Sequence, residues 1–265
     1  MAKKLTVKEI LTSRGVKKLT EIYTHTALEA EACEKAGVDM IITSELNDYA
    51  KIRAAAPNTF FTIGLSYGAH LDEYSILKRC FYLMNKGADA IYCPQSARFI
   101  KAISDEGIPV IGHSGFIPYK STHYGGFKAA GKTCVEAKKI LDEIIQIKNA
   151  GAFAVELEIV PSKIAREIST AVDIFLIGMG SGLDCDAQYL FSEDILGYNK
   201  GHIPRHAKVY ANLHSDFDAL QKKAVSAYSK FVKDVRDLRY PSTEHDIDID
   251  ETEIDQFSDF IRQKI

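Results

Sequence analysis

No apolar run in this chain approaches the roughly 20 residues that a membrane span requires, so a helical membrane protein is excluded. The N-terminus, Met1 to Lys8, is basic but leads into no hydrophobic signal core. An excess of charge of one sign is also lacking. With 33 basic and 36 acidic residues the net charge is −3, and no basic face stands out for nucleic acid. The five cysteines (Cys33, Cys80, Cys93, Cys134 and Cys185) include no C-x-x-C pair, and an odd count without a signal peptide points to reduced thiols. Cys33, Cys80 and Cys134 fall in helical patterns and are expected to be small buried residues. Cys93, at a strand tip, reads as a buried thiol in preference to a nucleophile. No G-x-G-x-x-G follows the first apolar run, which argues against a dinucleotide fold. What remains is a cytoplasmic, enzyme-sized protein whose 265 residues, 46% of them hydrophobic, suffice for one large core.

Apolar runs and helical patterns alternate along that length. Strands are expected at Lys17 to Thr24, Val38 to Thr43, Thr59 to Gly64, Ala88 to Cys93, Pro109 to His113, Phe153 to Val160 and Val172 to Gly178. Helices fall between them, and most end at a glycine such as Gly37, Gly87, Gly107 or Gly151. An eighth unit falls around Leu190 to Leu196, with helices from Phe217 to Leu238. Seven or eight such units within about 250 residues favour an α/β fold of the (β/α)8 TIM-barrel type over an open sheet. No Pro-, Gly- or Ser-rich linker interrupts the chain. One barrel domain over 1–240 is expected, with an acidic C-terminal extension over 241–265 as a peripheral or subunit-contact segment.

The organising stretch is Phe153-Ala154-Val155-Glu156-Leu157-Glu158-Ile159-Val160-Pro161. Alternation along a strand puts Val155, Leu157 and Ile159 on one face and Ala154, Glu156, Glu158 and Val160 on the other. A carboxylate buried in a packed core costs several kcal/mol unless paired or protonated. At the C-terminal tip of a barrel strand, open to a cleft, most of that cost disappears, and barrel enzymes place their catalytic groups there. Glu158 holds such a place; a buried salt bridge or solvated edge is the plain alternative. His113 is flanked by glycines that leave the backbone open to close approach. Tyr92, at the fourth strand tip, is either a donor to a developing enolate oxygen or a core tyrosine. Gly178 to Gly182, including Gly180, could hold a carboxylate or phosphate. His25 is a ligand, an acid/base group or simply solvated. Glu45 is a ligand or an acid favoured by the following helix dipole.

Several blocks together resemble one family, ketopantoate hydroxymethyltransferase of the phosphoenolpyruvate mutase/isocitrate lyase superfamily. They are Gly112-His113-Ser114-Gly115-Phe116-Ile117-Pro118, Gly125-Gly126-Phe127-Lys128, Glu158-Ile159-Val160-Pro161, Ile177-Gly178-Met179-Gly180, Gly201-His202-Ile203-Pro204 and Tyr240-Pro241-Ser242-Thr243. The resemblance runs in order over nearly the whole chain. It implies a barrel that transfers a hydroxymethyl group from methylenetetrahydrofolate to a 2-oxo acid held on Mg²⁺. It also implies a homo-oligomer. Glu158 matches the base that removes the proton beside the keto group, and His113 the histidine that touches substrate.

The chain departs from that pattern at the metal. The family's second strand ends Gly-Asp-Ser-Leu-Gly where this one has Thr43-Ser44-Glu45-Leu46-Asn47, so the aspartate ligand falls on Ser44. The third strand's aspartate falls on Gly64, and the lysine and glutamate of the fourth fall on Tyr92 and Pro94. Mg²⁺ depends on carboxylates and water, so the family's magnesium site is not expected to survive. A rebuilt divalent-metal site would use Glu45 with His25, Glu156 or Glu158. The expected function is enolate-type carbon–carbon chemistry on a small 2-oxo acid. Glu158 and His113 would be catalytic, and Tyr92, Ser44, Gly64, Gly178 and Gly180 would line the substrate site. An inactive family member serving as a scaffold subunit is the alternative.

Overall fold

The computed structural model describes residues 4–199 and 201–264; Met1 to Lys3, Lys200 and Ile265 lie outside the described residues. The strands β1 (Leu19–Tyr23), β2 (Met40–Ser44), β3 (Phe60–Gly64), β4 (Ala90–Tyr92), β5 (Val110–Gly115), β6 (Ala154–Glu158), β7 (Phe175–Met179) and β8 (Ala187–Phe191) pair in parallel, in chain order, into a closed barrel. Helices α2 (Ala27–Ala36), α3 (Tyr49–Ala55), α4 (Glu73–Asn85), α5 (Ala97–Asp105), α6 (Cys134–Asn149), α7 (Ser162–Ala171) and α8 (Ser192–Leu196) each follow a strand, and α1 (Val7–Thr12) precedes the first. The eighth strand lies earlier than the sequence suggests. Leu190 belongs to β8, but Ser192 to Leu196 is helical and closes on Gly197 in the left-handed region. The order of polar and apolar residues there, Ser-Glu-Asp-Ile-Leu, has no strand period.

Local chemistry explains the helix starts. Thr6 with Glu9, Thr26 with Glu29 and Thr133 with Glu136 form reciprocal capping boxes, each satisfying two otherwise orphaned N–H groups. Strand alternation then sorts the apolar residues into two layers. Ile41, Phe61, Ile63, Ile91, Val155, Leu157 and Leu176 face outward and pack on the helices. Met40, Phe60, Ile111, Phe175 and Ile177 face inward, and Ile10 of α1 joins them, closing the end where the strands begin. Cys33, Cys80, Cys93 and Cys185 are buried; Cys134, at the exposed first position of α6, is not.

The chain divides into two compact units, Met1–Ala211 and Asn212–Ile265. The barrel belongs wholly to the first. The helical stretch that the sequence places before residue 240 falls in the second unit as α9 (Leu213–Arg236), together with α10 (Glu251–Lys264). No described residue of α9 or α10 is buried. No described helix is long and apolar enough to cross a membrane.

Gly112 shows how tightly the outer layer is packed. A Cβ added there would lie 2.5 Å from Ile147 Cγ2 of α6, so this glycine serves sheet–helix contact and not ligand approach. Gly112→Ala is expected to cost about 1–3 kcal/mol in urea unfolding. In Gly112→Ala/Ile147→Ala the obstructing methyl is gone, and the two losses should fall short of their sum by about 1 kcal/mol. Strictly additive losses would show that this contact is not what demands a glycine.

Candidate active site

The mouth at the C-terminal ends of the strands opens into a cavity of about 220 Å³. Tyr23, Ser44, Gly64, Tyr92, His113, Tyr119, Glu156, Glu158, Met179 and Tyr189 are among its walls, and no Lys or Arg among the described residues lines it. Alternation explains the membership. Tyr23, Ser44, Gly64, Tyr92 and Glu158 are the last residues of β1, β2, β3, β4 and β6, with inward-facing positions. A Cβ at Gly64 would stand 3.3 Å from the Tyr92 ring, so the absence of a side chain there gives the ring its place.

Glu158 is aimed by a local break in the strand. Ile159, next to it, sits at φ 47°, a left-handed conformation that costs a β-branched residue about 1–3 kcal/mol. Hydrogen bonds hold the bend. Ile159 N–H donates to Met179 O at 2.8 Å and Phe116 N–H to Glu158 O at 2.7 Å. Ser181 Oγ donates to Leu157 O at 2.8 Å and accepts from Val160 N–H at 3.1 Å. Gly115, at φ 92°, lies so close that a Cβ would be 2.4 Å from Glu158 O. The bend also ends the alternation expected from sequence. Ile159 and Val160 both join the outer layer.

His113 Nε2 lies 3.2 Å from Glu158 Oε2 and 3.2 Å from Phe116 O. Two acceptors facing one nitrogen put a proton there. Nδ1 then faces the Tyr92 hydroxyl at 2.5 Å, and in the neutral imidazole the hydroxyl donates to it. Glu158, His113 and Tyr92 thus form one chain of polar groups along the cavity wall, with Glu158 and His113 each over nine-tenths buried.

Two further acids sit below them. Glu156 is the inward neighbour of Glu158 on β6, beside His113 in register, and Glu21 of β1 is beside Tyr189. Neither Glu21 oxygen nor Glu156 Oε1 has a hydrogen-bond partner. Burial pushes both carboxyls well above the ordinary range, and Glu21 and Glu158 push Glu156 further by like charge. Both are therefore held as neutral acids. The sequence signal for Glu21 is the same alternation that marks Leu19 and Tyr23 as inward. Tyr119, on the 3₁₀ turn Pro118–Tyr124, carries no periodic signal; it stacks on Tyr67 with centroids 3.9 Å apart.

Four of the expected site residues are not brought to the cavity. Glu45 points away from it. Its carboxylate accepts from Ser66 N–H at 2.6 Å and Arg79 Nε at 2.7 Å, with His70 Nε2 at 3.2 Å. Burial would raise this group, but those donors outweigh it and hold it below the ordinary range. His25 pairs with Glu193 at 2.6 Å. Glu45 and His25 thus have separate partners. Gly178 faces outward, where a Cβ would meet Cys185 Sγ at 2.7 Å, and Gly180, at φ 67°, makes room for the His206 ring. No group of three or more His, Cys, Asp or Glu suited to a metal ion occurs among the described residues. The mouth offers hydroxyls where a magnesium site needs carboxylates, and its second acid is neutral, so the residues present do not fit that ion.

With this geometry the chain matches the ketopantoate hydroxymethyltransferase family model over residues 44–243. The chain belongs to that family. Membership makes it an enzyme of the transferase type. It is 32% identical over 267 positions to a 3-methyl-2-oxobutanoate hydroxymethyltransferase of Thermosipho africanus (strain TCF52B), covering 91% of this chain and 97% of that one. To one of Clostridium beijerinckii it is 37% identical over 193 positions, 72% of this chain and 67% of that one. Among solved structures, phosphonopyruvate hydrolase complexed with oxalate and Mg²⁺ has a TM-score of 0.51 at 11% identity, covering 98% of each chain. The carboxyl transferase domain of Rhizobium etli pyruvate carboxylase with pyruvate and biocytin has 0.55 at 11%, over 71% of this chain and 42% of that one. These last two likenesses concern the fold alone.

The neutral acids carry a stability cost with a definite sign. Both folded and unfolded chains hold the Glu21 proton below about 4.5, so nothing is lost there. Between 4.5 and about 8 the unfolded chain releases a proton that the folded one keeps, and stability falls as pH rises. Glu21→Met is expected to stabilise the fold by about 2 kcal/mol more at pH 7 than at about pH 4. Urea unfolding at the two pH values checks this. A gain independent of pH would mean that protonation is not the cost.

Proposed function

We propose that this protein transfers a one-carbon unit to the carbon beside the keto group of a small 2-oxo acid, by enolate chemistry with Glu158 as base. The observation that carries the reading is the Glu158–His113–Tyr92 chain at the mouth of the barrel. Its cavity is smaller than the roughly 300–1,000 Å³ of drug-sized sites, which suits a compact acid. The curated relatives' names point to 3-methyl-2-oxobutanoate as the acid to try first. The donor that the family resemblance implies is methylenetetrahydrofolate, and assembly as a homo-oligomer in the cytoplasm belongs to the same reading.

The steps are dictated by the groups present. Glu158 carboxylate removes the proton on C3, the C–H electrons form the C2=C3 bond, and the carbonyl pair moves to oxygen. His113 Nε2–H, shared between Glu158 and Phe116 O, fixes the orientation of the base. Tyr92 holds the imidazole from the other side. Water adds to the methylene carbon of the donor as its two C–N bonds break, each nitrogen leaving with a proton from the water, and this frees the one-carbon unit as an aldehyde. The enolate C3 attacks that carbon, the aldehyde oxygen takes the proton from Glu158 to become the hydroxyl, and the C2 carbonyl reforms. The substrate carboxylate is received by neutral hydroxyls, with Ser44 and Tyr23 the nearest built into strand tips. No step is drawn through a metal ion, since the donor set at this mouth does not fit the family's.

Deuterium exchange at C3 of 3-methyl-2-oxobutanoate, followed by NMR in EDTA, tests the reading. Wild-type exchange should persist, Glu158→Gln should slow it about 10³-fold, and Tyr92→Phe about 10-fold. Exchange that stops with chelator and returns with Mg²⁺ would overturn the metal-free form. No exchange with any 2-oxo acid, together with no binding, would leave the scaffold reading.

A further inference from the structure

Enolate formation places negative charge on the C2 oxygen in a cavity that already contains the substrate carboxylate. Once Glu158 has taken the C3 proton it is neutral, but the new charge still needs a partner. No Lys or Arg among the described residues lines the cavity. The Tyr92 hydroxyl is engaged with His113 Nδ1. Glu156 is differently placed. It lines the same cavity and lies on the same strand face one inward step below the base; its Oε1 is sealed from the cavity without a hydrogen-bond partner among the described residues, which leaves Oε2 as the oxygen that meets the cavity. The groups facing it are Glu21 and Tyr23 from β1, Thr62 from β3, Tyr92 from β4, His113 from β5, Glu158 from β6 and Tyr189 from β8; β2 and β7 present Ile42 and Ile177. The surrounding acids and phenols give no cationic reason for Glu156 to ionise. A carboxylic acid kept neutral in an apolar site is a hydrogen-bond donor at neutral pH.

We propose that Glu156, as a neutral carboxylic acid, donates the hydrogen bond that stabilises the enolate oxygen, the charge-bearing task that a divalent ion performs in the family resemblance. Glu158 takes the C3 proton, the carbonyl π pair moves to the C2 oxygen, and that oxygen accepts the Glu156 O–H. The proton stays on Glu156, and the bond weakens when C3 attacks the donor and the carbonyl reforms. Glu21 is a positioning residue in this scheme. Burial of its own carboxyl near Glu156 adds to the conditions that keep Glu156 protonated. The assignment rests on Glu158 being the base.

Three measurements on the full chain in EDTA test it. Glu156→Leu, which should fold at least as well as the wild type, is expected to lose about 100-fold in C3 exchange with KM little changed. Glu156→Gln, which still offers an N–H donor, should lose only about 10-fold. Oxalate, whose second carboxylate puts charge where the enolate oxygen would sit, should bind Glu156→Leu about 100-fold more weakly than wild type, while 3-methyl-2-oxobutanoate binds both alike. Difference infrared spectra of wild type against Glu156→Gln should show the carbonyl band of a protonated carboxylic acid at neutral pH. Exchange in Glu156→Leu within about twofold of wild type, or no such band, overturns the role of Glu156. Loss of exchange in the wild type sinks the Glu158 reading and this role together. Loss in Glu158→Gln with the infrared band and oxalate binding intact supports both.

Discussion

Glu158 faces the mouth of the barrel because the chain leaves strand geometry at the very next residue. Ile159 at φ 47° would not stay there alone. Five hydrogen bonds from three different segments hold it: one from Phe116 after β5, one to Met179 at the end of β7, two through Ser181 beyond it, and one from Ala130, whose N–H donates to Ile159 O at 3.1 Å. Gly115 lets β5 pass close enough for this network to form, since any Cβ would collide with the Glu158 carbonyl. Glu158, His113 and the loop carrying Tyr119 are therefore positioned together. Disturbing one strand tip moves its neighbours.

The second governing feature is electrostatic. Barrel interiors are usually filled by branched apolar side chains in layers. This one carries Glu21 and Glu156 in the layer below Glu158, surrounded by tyrosines and isoleucines. Nothing among the described residues offers either acid a cation. The cheapest state for such a group is neutral, as burial makes ionisation cost more than holding the proton. The interior thus gives up stability at neutral pH to keep two weak acids under a site where charge changes during reaction. Strain at Ile159 and the acids below the site are both concentrated around Glu158, where local stability is traded for chemistry.

Much of this is legible in the sequence because it depends on period. The alternation through Phe153 to Glu158 marks both inward acids, and the repeated strand–helix spacing implies the closed barrel. The features that sequence period does not carry depend on contacts between distant segments. Gly112 and Gly178 read as openings for a ligand, yet they accommodate Ile147 and Cys185 on the outer face. Glu45 stands one residue beyond the inward-facing Ser44, and that single step turns it out of the cavity toward Arg79. Period two decides such cases, and it rules against Glu45 as a ligand at the mouth. The eighth strand is hard to place because its Ala-Gln-Tyr-Leu-Phe run is short and flanked by a helix that begins without a break. The division at Ala211 is invisible for a related reason: α9 has an amphipathic pattern like that of a barrel helix, and sequence period does not say which body a helix packs on.

On the proposed reading the strand tips and the two acids in the layer beneath them work as one arrangement. In the family pattern the tips of β2 and β3 supply aspartates, and a divalent cation balances them. Here those tips are Ser44 and Gly64, and the neighbouring tip of β4 is Tyr92. Removing the carboxylates alone would leave a cavity with no means of meeting the negative charge on an enolate oxygen. Removing the ion alone would leave aspartates repelling an anionic substrate. On the proposed reading both have gone, and their place is taken by donors that carry no charge at rest: the hydroxyls of Ser44, Tyr23 and Tyr119 and the neutral acid Glu156. In either arrangement the strand tips themselves add no net charge to that of Glu158 and the arriving substrate. The two diverge once the C–H bond begins to break, because a cation attracts the carboxylate of the substrate as strongly as the enolate. A hydrogen-bond donor in a low-dielectric floor strengthens as the charge on its acceptor grows, so its contribution is larger in the transition state than in the bound substrate.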